Sequence, residues 1–170
     1  MPNRKDLILA RLADEGAKTA AFFRAFTSGQ WGQQVYTVGP EWGARDILCH
    51  FLSAEKTLAF YYNEMANGRP GVPRDFDIDA FNAREVKALR DADHSPETLI
   101  SEFERLRAGT IAIVRQMAES DLDRVGYHPW FGDTPLETML KLVYRHTMLH
   151  QRDISKAIET GQPIPHSTDR

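Results

Sequence analysis

Cysteine occurs once in the 170 residues, at Cys49, so no internal disulfide can form and a Cys-x-x-Cys redox or metal pair is excluded. Long apolar runs are missing as well; the longest are a few residues, against the roughly 20 that a bilayer-spanning helix needs. Neither sign of charge dominates. Twenty-one basic residues stand against 24 acidic ones, a net charge of −3, with no block of either sign. That balance argues against a partner whose phosphates must be tracked, so no nucleic acid is expected. The N-terminal stretch Met1-Pro2-Asn3-Arg4-Lys5-Asp6 meets an acid at once and has no signal-peptide apolar core. With no membrane segment and a single cysteine, a reducing cytoplasm is the expected compartment. Strand signals are scarce, limited to Val35-Tyr36-Thr37-Val38. No phosphate-cradling glycine loop, nucleophile elbow or His-Glu-x-x-His motif is present.

What is there is helical. A hydrophobic share of 42% and a charged share of 26% are those of a folded globular protein. A chain of this length can bury a core as one domain spanning 1–170, with no need of a metal in order to fold. Apolar residues at spacings of three and four predict helices over Asp6–Phe26 and Ala44–Ala66, the second stopped by Asn67-Gly68. A shorter accessory helix is expected over Asp79–Ala92. Ser95-Pro96-Glu97 opens a third long helix to about Glu119, with Ser as cap and Pro at the first position. Thr134-Pro135-Leu136-Glu137 reads as a capping box opening the last long helix, which runs to Thr160 before Gly161 and Pro163. The residues from 161 to 170 are expected to fray. The fold class is therefore all-α: a four-helix bundle with a short accessory helix.

Three of the six histidines fall on inward faces. The last helix carries an inward stripe of Leu136, Met139, Val143, His146, His150, Asp153 and Ala157, so the two rings interrupt an apolar seam one turn apart. His50 lies on the line Ile47, His50, Ala54, Leu58 of the second helix. Bundles build metal sites from side chains on facing helices. Three imidazoles with a fourth position left open is the arrangement of catalytic zinc, although imidazole also suits nickel, iron and copper. The competing reading satisfies each ring separately, through Asp46, Asp153 or a backbone carbonyl.

The stretch from Trp42 through Arg45-Asp46 to His50-Phe51-Leu52, with His146-Thr147-Met148-Leu149-His150-Gln151-Arg152-Asp153-Ile154 about a hundred residues later, resembles the DinB-like superfamily. More narrowly, it is similar to the branch that includes the N-terminal domain of mycothiol-dependent maleylpyruvate isomerase. The resemblance covers essentially the whole chain. It implies an up-down-down-up bundle that binds a divalent metal, zinc or nickel, through His50, His146 and His150. Where many relatives carry Ser or Thr after the tryptophan this chain has Gly43, which also serves as a helix cap.

Around those residues the expectations divide. Asp46 fits the first helical turn, where an acid suits the helix dipole, better than a role as acceptor for His50. Cys49 reads as a buried structural thiol. Asp153 reads either as support for a histidine or as an ion-pair partner of Arg152 or Arg145. His128-Pro129-Trp130-Phe131 is expected to cover the end of the core, the alternative being a pocket wall; Tyr36, Trp31 and Trp42 carry the same ambiguity. Arg45 and Arg152 are potential anchors for an anionic substrate, and His94 and His166 read as surface residues. The chemistry implied by the resemblance is a metal-dependent transferase or isomerase that acts on a small molecule with a low-molecular-weight thiol. No residue stands out as a general base, so no catalytic side chain is assigned. The alternative is a non-catalytic metal-containing stress-response or interaction module, and a homodimer is compatible with either.

Overall fold

In the structure, a computed structural model that describes residues 3–166, four long helices are joined by shorter elements. These are α1 (Arg4–Arg24), α2 (Ser28–Trp31), α3 (Ala44–Ala66), α4 (Ile78–Asp91), α5 (Pro96–Gln116) and α6 (Leu136–Thr160). A 3-10 turn at Glu119–Asp123 and an antiparallel hairpin, β1 (Val125–His128) with β2 (Gly132–Pro135), connect α5 to α6. The helix ends follow local chemistry. Asn3 accepts the Asp6 N–H at 2.8 Å, Ser95 accepts that of Thr98 at 3.2 Å ahead of Pro96, and Gly161 closes α6 in the left-handed region at φ 65°.

Two apolar clusters fix how the helices run. One gathers the C-terminal halves of α1 and α6 (Ala20, Phe23, Ile154, Ala157) with the N-terminal halves of α3 and α5 (Ile47, Phe51, Leu99, Phe103). The other gathers the opposite halves, with Ile8, Leu12, Leu136 and Met139 against Tyr62, Met65 and Val114. Helices α1 and α6 therefore point one way and α3 and α5 the other, which is the up-down-down-up order. The parallel pair α3 and α5 needs a long return, and the segment carrying α4 supplies it by packing along α3. Helices α1 and α3 each pack on both α5 and α6.

Where the clusters meet, Arg107 of α5 donates two parallel hydrogen bonds to Glu55 of α3 at 2.8 and 3.0 Å and a third to the Leu12 carbonyl at 3.2 Å. Both side chains are almost fully buried. Gly16 of α1 makes room for them, because a Cβ there would lie 2.9 Å from Arg107 Cγ.

Four local expectations are corrected. The stretch from Gly126 to Asp133, whose glycines and proline read as turn signals, lies within the hairpin of β1 and β2. Val35–Val38 forms no sheet strand; Tyr36 instead makes a single bridge to Ile164, and Gln34 one to Gly43. Thr134 is no helix cap: it pairs with Gly126 in the hairpin, and the Arg124 carbonyl takes the Leu136 N–H at 2.8 Å, so backbone does what the capping box was to do. Residues 161–166 do not fray, since Thr37 N–H donates to the Ile164 carbonyl at 3.1 Å and Ile164 N–H to that of Val35 at 2.8 Å. The rest of that expected tail, 167–170, lies outside the described residues.

Candidate metal centre

His50 comes from the middle of the inward face of α3, and His146 and His150 from successive turns of α6. The three rings converge. Nε2 of His146 lies 3.1 Å from Nε2 of His50 and 2.9 Å from Nε2 of His150, and the three ligand atoms all lie within 4.8 Å of one another. Burial holds the rings neutral. It pushes His50 and His150 well below the ordinary histidine value, with the neighbouring rings adding to the effect, and brings His146 down to about 4, with His166, His128 and Arg107 contributing.

The protons available do not satisfy this cluster. Tyr36 lies between His150 Nδ1, 2.6 Å from its hydroxyl, and Asp153 Oδ2, at 2.9 Å. A hydroxyl has one proton, and the carboxylate is the stronger acceptor, so Tyr36 donates to Asp153 and accepts from Nδ1–H of His150. His150 is thereby held as the tautomer whose Nε2 is a bare lone pair. If His146 Nε2–H fills the 2.9 Å contact to that lone pair, it has no lone pair left to accept from His50. Only one of the two short contacts can then be a good hydrogen bond. Among the described residues, Nδ1 of His50 is buried with no hydrogen-bond partner, although Asn82 of α4 acts to favour the charged ring. A single cation resolves the conflict. Three imidazoles at 2.0–2.1 Å around a tetrahedral ion stand about 3.3 Å apart, a few tenths of an ångström wider than the two contacts that His146 makes.

Two of the supporting residues are placed in ways the sequence left open. Asp153 does support a histidine, but through Tyr36, and its approach to Arg152 is a loose 4.0 Å. Tyr36 is fully buried; its segment is held by backbone bonds to the Trp42 carbonyl and to Ile164 beyond α6, so helical periodicity carries no trace of its contact with His150. His166, expected at the surface, packs edge-on against Tyr36 with ring centroids 4.6 Å apart and lies 5.9 Å from His150. Trp42 covers His50 on the other side, at 4.8 Å.

A cavity opens onto His50 and His146. Phe76, Phe81, Trp130, Leu142 and Val143 form much of its wall. The His128–Phe131 segment thus meets its alternative reading in part: Trp130 walls the cavity, with its ring 5.9 Å from that of His146, while Phe131 stacks on His128 at 5.0 Å.

The remaining candidates stand apart. Asp46 accepts the Gly43 N–H at 3.1 Å and the Arg90 guanidinium at 2.8 Å, so it closes the start of α3. Arg45 is engaged with Asp93 and the His94 carbonyl, and Arg152 is mostly exposed; neither lines the cavity. The Cys49 thiol is buried and pushed up to about 11 by that burial, so it is unreactive near neutral pH. His94 is exposed.

Comparison with known proteins agrees with this architecture. Residues 9–154 match the profile of the DinB superfamily. No curated protein matches the chain. Among solved structures, YfiT from Bacillus subtilis, described as a probable metal-dependent hydrolase with an unusual four-helix bundle topology, superposes with a TM-score of 0.71 at 20% identity, over 93% of this chain and 88% of its own. Mycothiol-dependent maleylpyruvate isomerase superposes with a TM-score of 0.72 at 13% identity, over 91% of this chain. The match spans only 63% of the isomerase's length. At these identities the likeness is one of fold. No helix among the described residues is long and apolar enough to cross a membrane.

Proposed function

The chain belongs to the DinB superfamily, and from that premise we propose that it is a divalent-metal-dependent enzyme in which His50, His146 and His150 hold zinc or nickel beside a small-molecule pocket. The observation that carries this reading is the meeting of three Nε2 atoms that the available protons cannot satisfy. A cation bound there with an open position supplies a Lewis acid that lowers the pKa of a thiol or water at neutral pH. The chain's own residues supply the rest. Asp153, through Tyr36, keeps the His150 proton on Nδ1 and its lone pair turned inward. Trp42 and Phe51 pack against the His50 ring and exclude water from that side. The pocket wall from α4, α6 and the hairpin orients what enters.

Transfer or isomerisation assisted by a low-molecular-weight thiol is the reaction class we assign to this chain, with water as the alternative nucleophile. Fold likeness alone does not choose between them. Metal analysis of the untagged protein is the test. One equivalent of zinc or nickel per chain is expected, with loss of at least nine-tenths of it in His146→Ala and in His150→Ala. Unchanged metal content in both variants would refute the assignment. Stoichiometric metal with no turnover of thiols and electrophiles, or of hydrolysable esters and amides, would leave the site as that of a non-catalytic metal-containing module. Sedimentation of the loaded protein decides whether it is a homodimer.

A further inference from the structure

Among the described residues, no charged side chain lines the pocket beside the triad. Its polar groups are Thr57, Asn82, His128 and the rings of His50 and His146, and everything else on its wall is aliphatic or aromatic. Arg74 of the preceding loop pairs with Asp133 at 2.7 Å, and Glu55 and Arg107 neutralise one another in the core. A carboxylate or ammonium entering this wall would give up its water for no counter-charge, which is strongly unfavourable.

His128 adds a directional element. It is buried at the end of β1, and the Trp130 backbone N–H donates to its Nδ1 at 3.2 Å. A ring that accepts at Nδ1 and is neutral carries its proton on Nε2. Among the described residues the hydrogen bond to Nδ1 is the one the ring makes, so Nε2–H remains available as a donor on a pocket-lining side chain.

We propose that the pocket selects an uncharged, ring-sized apolar molecule bearing a neutral acceptor, such as a ketone, ester or amide carbonyl, which His128 Nε2–H binds. Phe76, Phe81 and Trp130 offer aromatic faces to a small ring. The proposal deepens the metal-enzyme reading by naming the substrate class, and rests on that reading only in placing the carbonyl near the cation. It also turns against the anionic substrate for which Arg45 and Arg152 were potential anchors.

The test uses three probes with the same acetyl head: 4-methylacetophenone, 4-acetylbenzoate and 4-acetyl-N,N,N-trimethylanilinium. Their binding to the full chain is measured by ligand-observed NMR, with zinc and after chelation. The neutral probe is expected to bind at least tenfold more tightly than either charged one in both states. A charged probe that binds the chelated protein as tightly as the neutral one would overturn the proposal. Trp130→Ala, at a half-exposed wall residue, should weaken the neutral probe at least fivefold with zinc content unchanged; undiminished binding would place the probe elsewhere and defeat the proposal. His128→Phe keeps the ring and removes the donor. It should weaken 4-methylacetophenone at least fivefold and leave the acceptor-free 4-ethyltoluene within twofold, whereas equal loss for both would remove the role given to His128. Absence of zinc binding in the wild type would sink the metal reading alone, because discrimination by charge is also read in the chelated protein.

Discussion

Two polar clusters are buried in this bundle, and they are built on opposite plans. The pair of Glu55 and Arg107 is closed. Each carboxylate oxygen has a guanidinium donor, the remaining Arg107 contact goes to a backbone carbonyl, and the charges cancel. The histidine triad is open. Its three rings are neutral, two of its short contacts compete for one proton, and His50 Nδ1 has no partner. A cluster that satisfies itself ties helices together; one that leaves lone pairs directed at a common point needs something from outside the chain. Glu55, Arg107, His50 and His150 are all buried, so burial does not distinguish structure from function, whereas the balance of donors and acceptors does.

The sharpest way to break the contrast is to open the closed cluster. Arg107→Met leaves Glu55 as a lone buried charge and should cost about 3–5 kcal/mol of stability, read by urea unfolding. Adding Glu55→Leu should recover most of it, and the folded fraction of either variant should still bind one metal per chain. If the double variant is as unstable as the single one, the pair does more than neutralise itself.

Acid comes next. His128 has an ordinary value of 6.5 and is brought down to about 4 by burial. Between these values the unfolded chain binds more protons than the folded one. Its contribution is therefore complete above pH 6.5 and lost as the pH falls to 4, by roughly 3 kcal/mol at most. The triad rings shift in the same direction, so the chelated protein should lose stability across this window, and bound metal should dissociate in it as protons compete for the ligands. A stability profile of the chelated protein that is flat from pH 7 to 4 would contradict the buried neutral state.

Smaller effects separate the supports. Tyr36→Phe removes the hydroxyl that holds the His150 tautomer and should lower zinc affinity by about 10–100-fold in competition with a chromophoric chelator. Asp46→Asn should change that affinity by less than twofold and stability by under about 1 kcal/mol, since the amide oxygen can still accept the Gly43 N–H and the Arg90 end of the pair is half-exposed. Reversal of these two outcomes would return Asp46 to the role that the structure gives to Asp153 and Tyr36.

Much of this was legible from spacing. The range of α3 and the start of α5 follow from periodicity and caps, and the same periodicity put His50, His146 and His150 on inward faces. The hairpin was not legible, because Gly126, Pro129 and Gly132 read as turn residues, Thr134 and Pro135 read as a helix start, and cross-strand pairing leaves no local mark in four-residue strands. The docking of residues 161–166 was hidden for a related reason: it rests on two backbone hydrogen bonds to a segment well over a hundred residues earlier.

The sequence by itself determined which helices form and which of their faces carry imidazole, since a 3.6-residue period converts spacing directly into direction around one cylinder. Only the tertiary structure decided that the rings share a point, that Tyr36 lies between His150 and Asp153, and that the neighbouring pocket is without charge. Each of these depends on atoms far apart in the chain meeting within about 3–6 Å, and their placement is set by packing between helices, which no local pattern encodes.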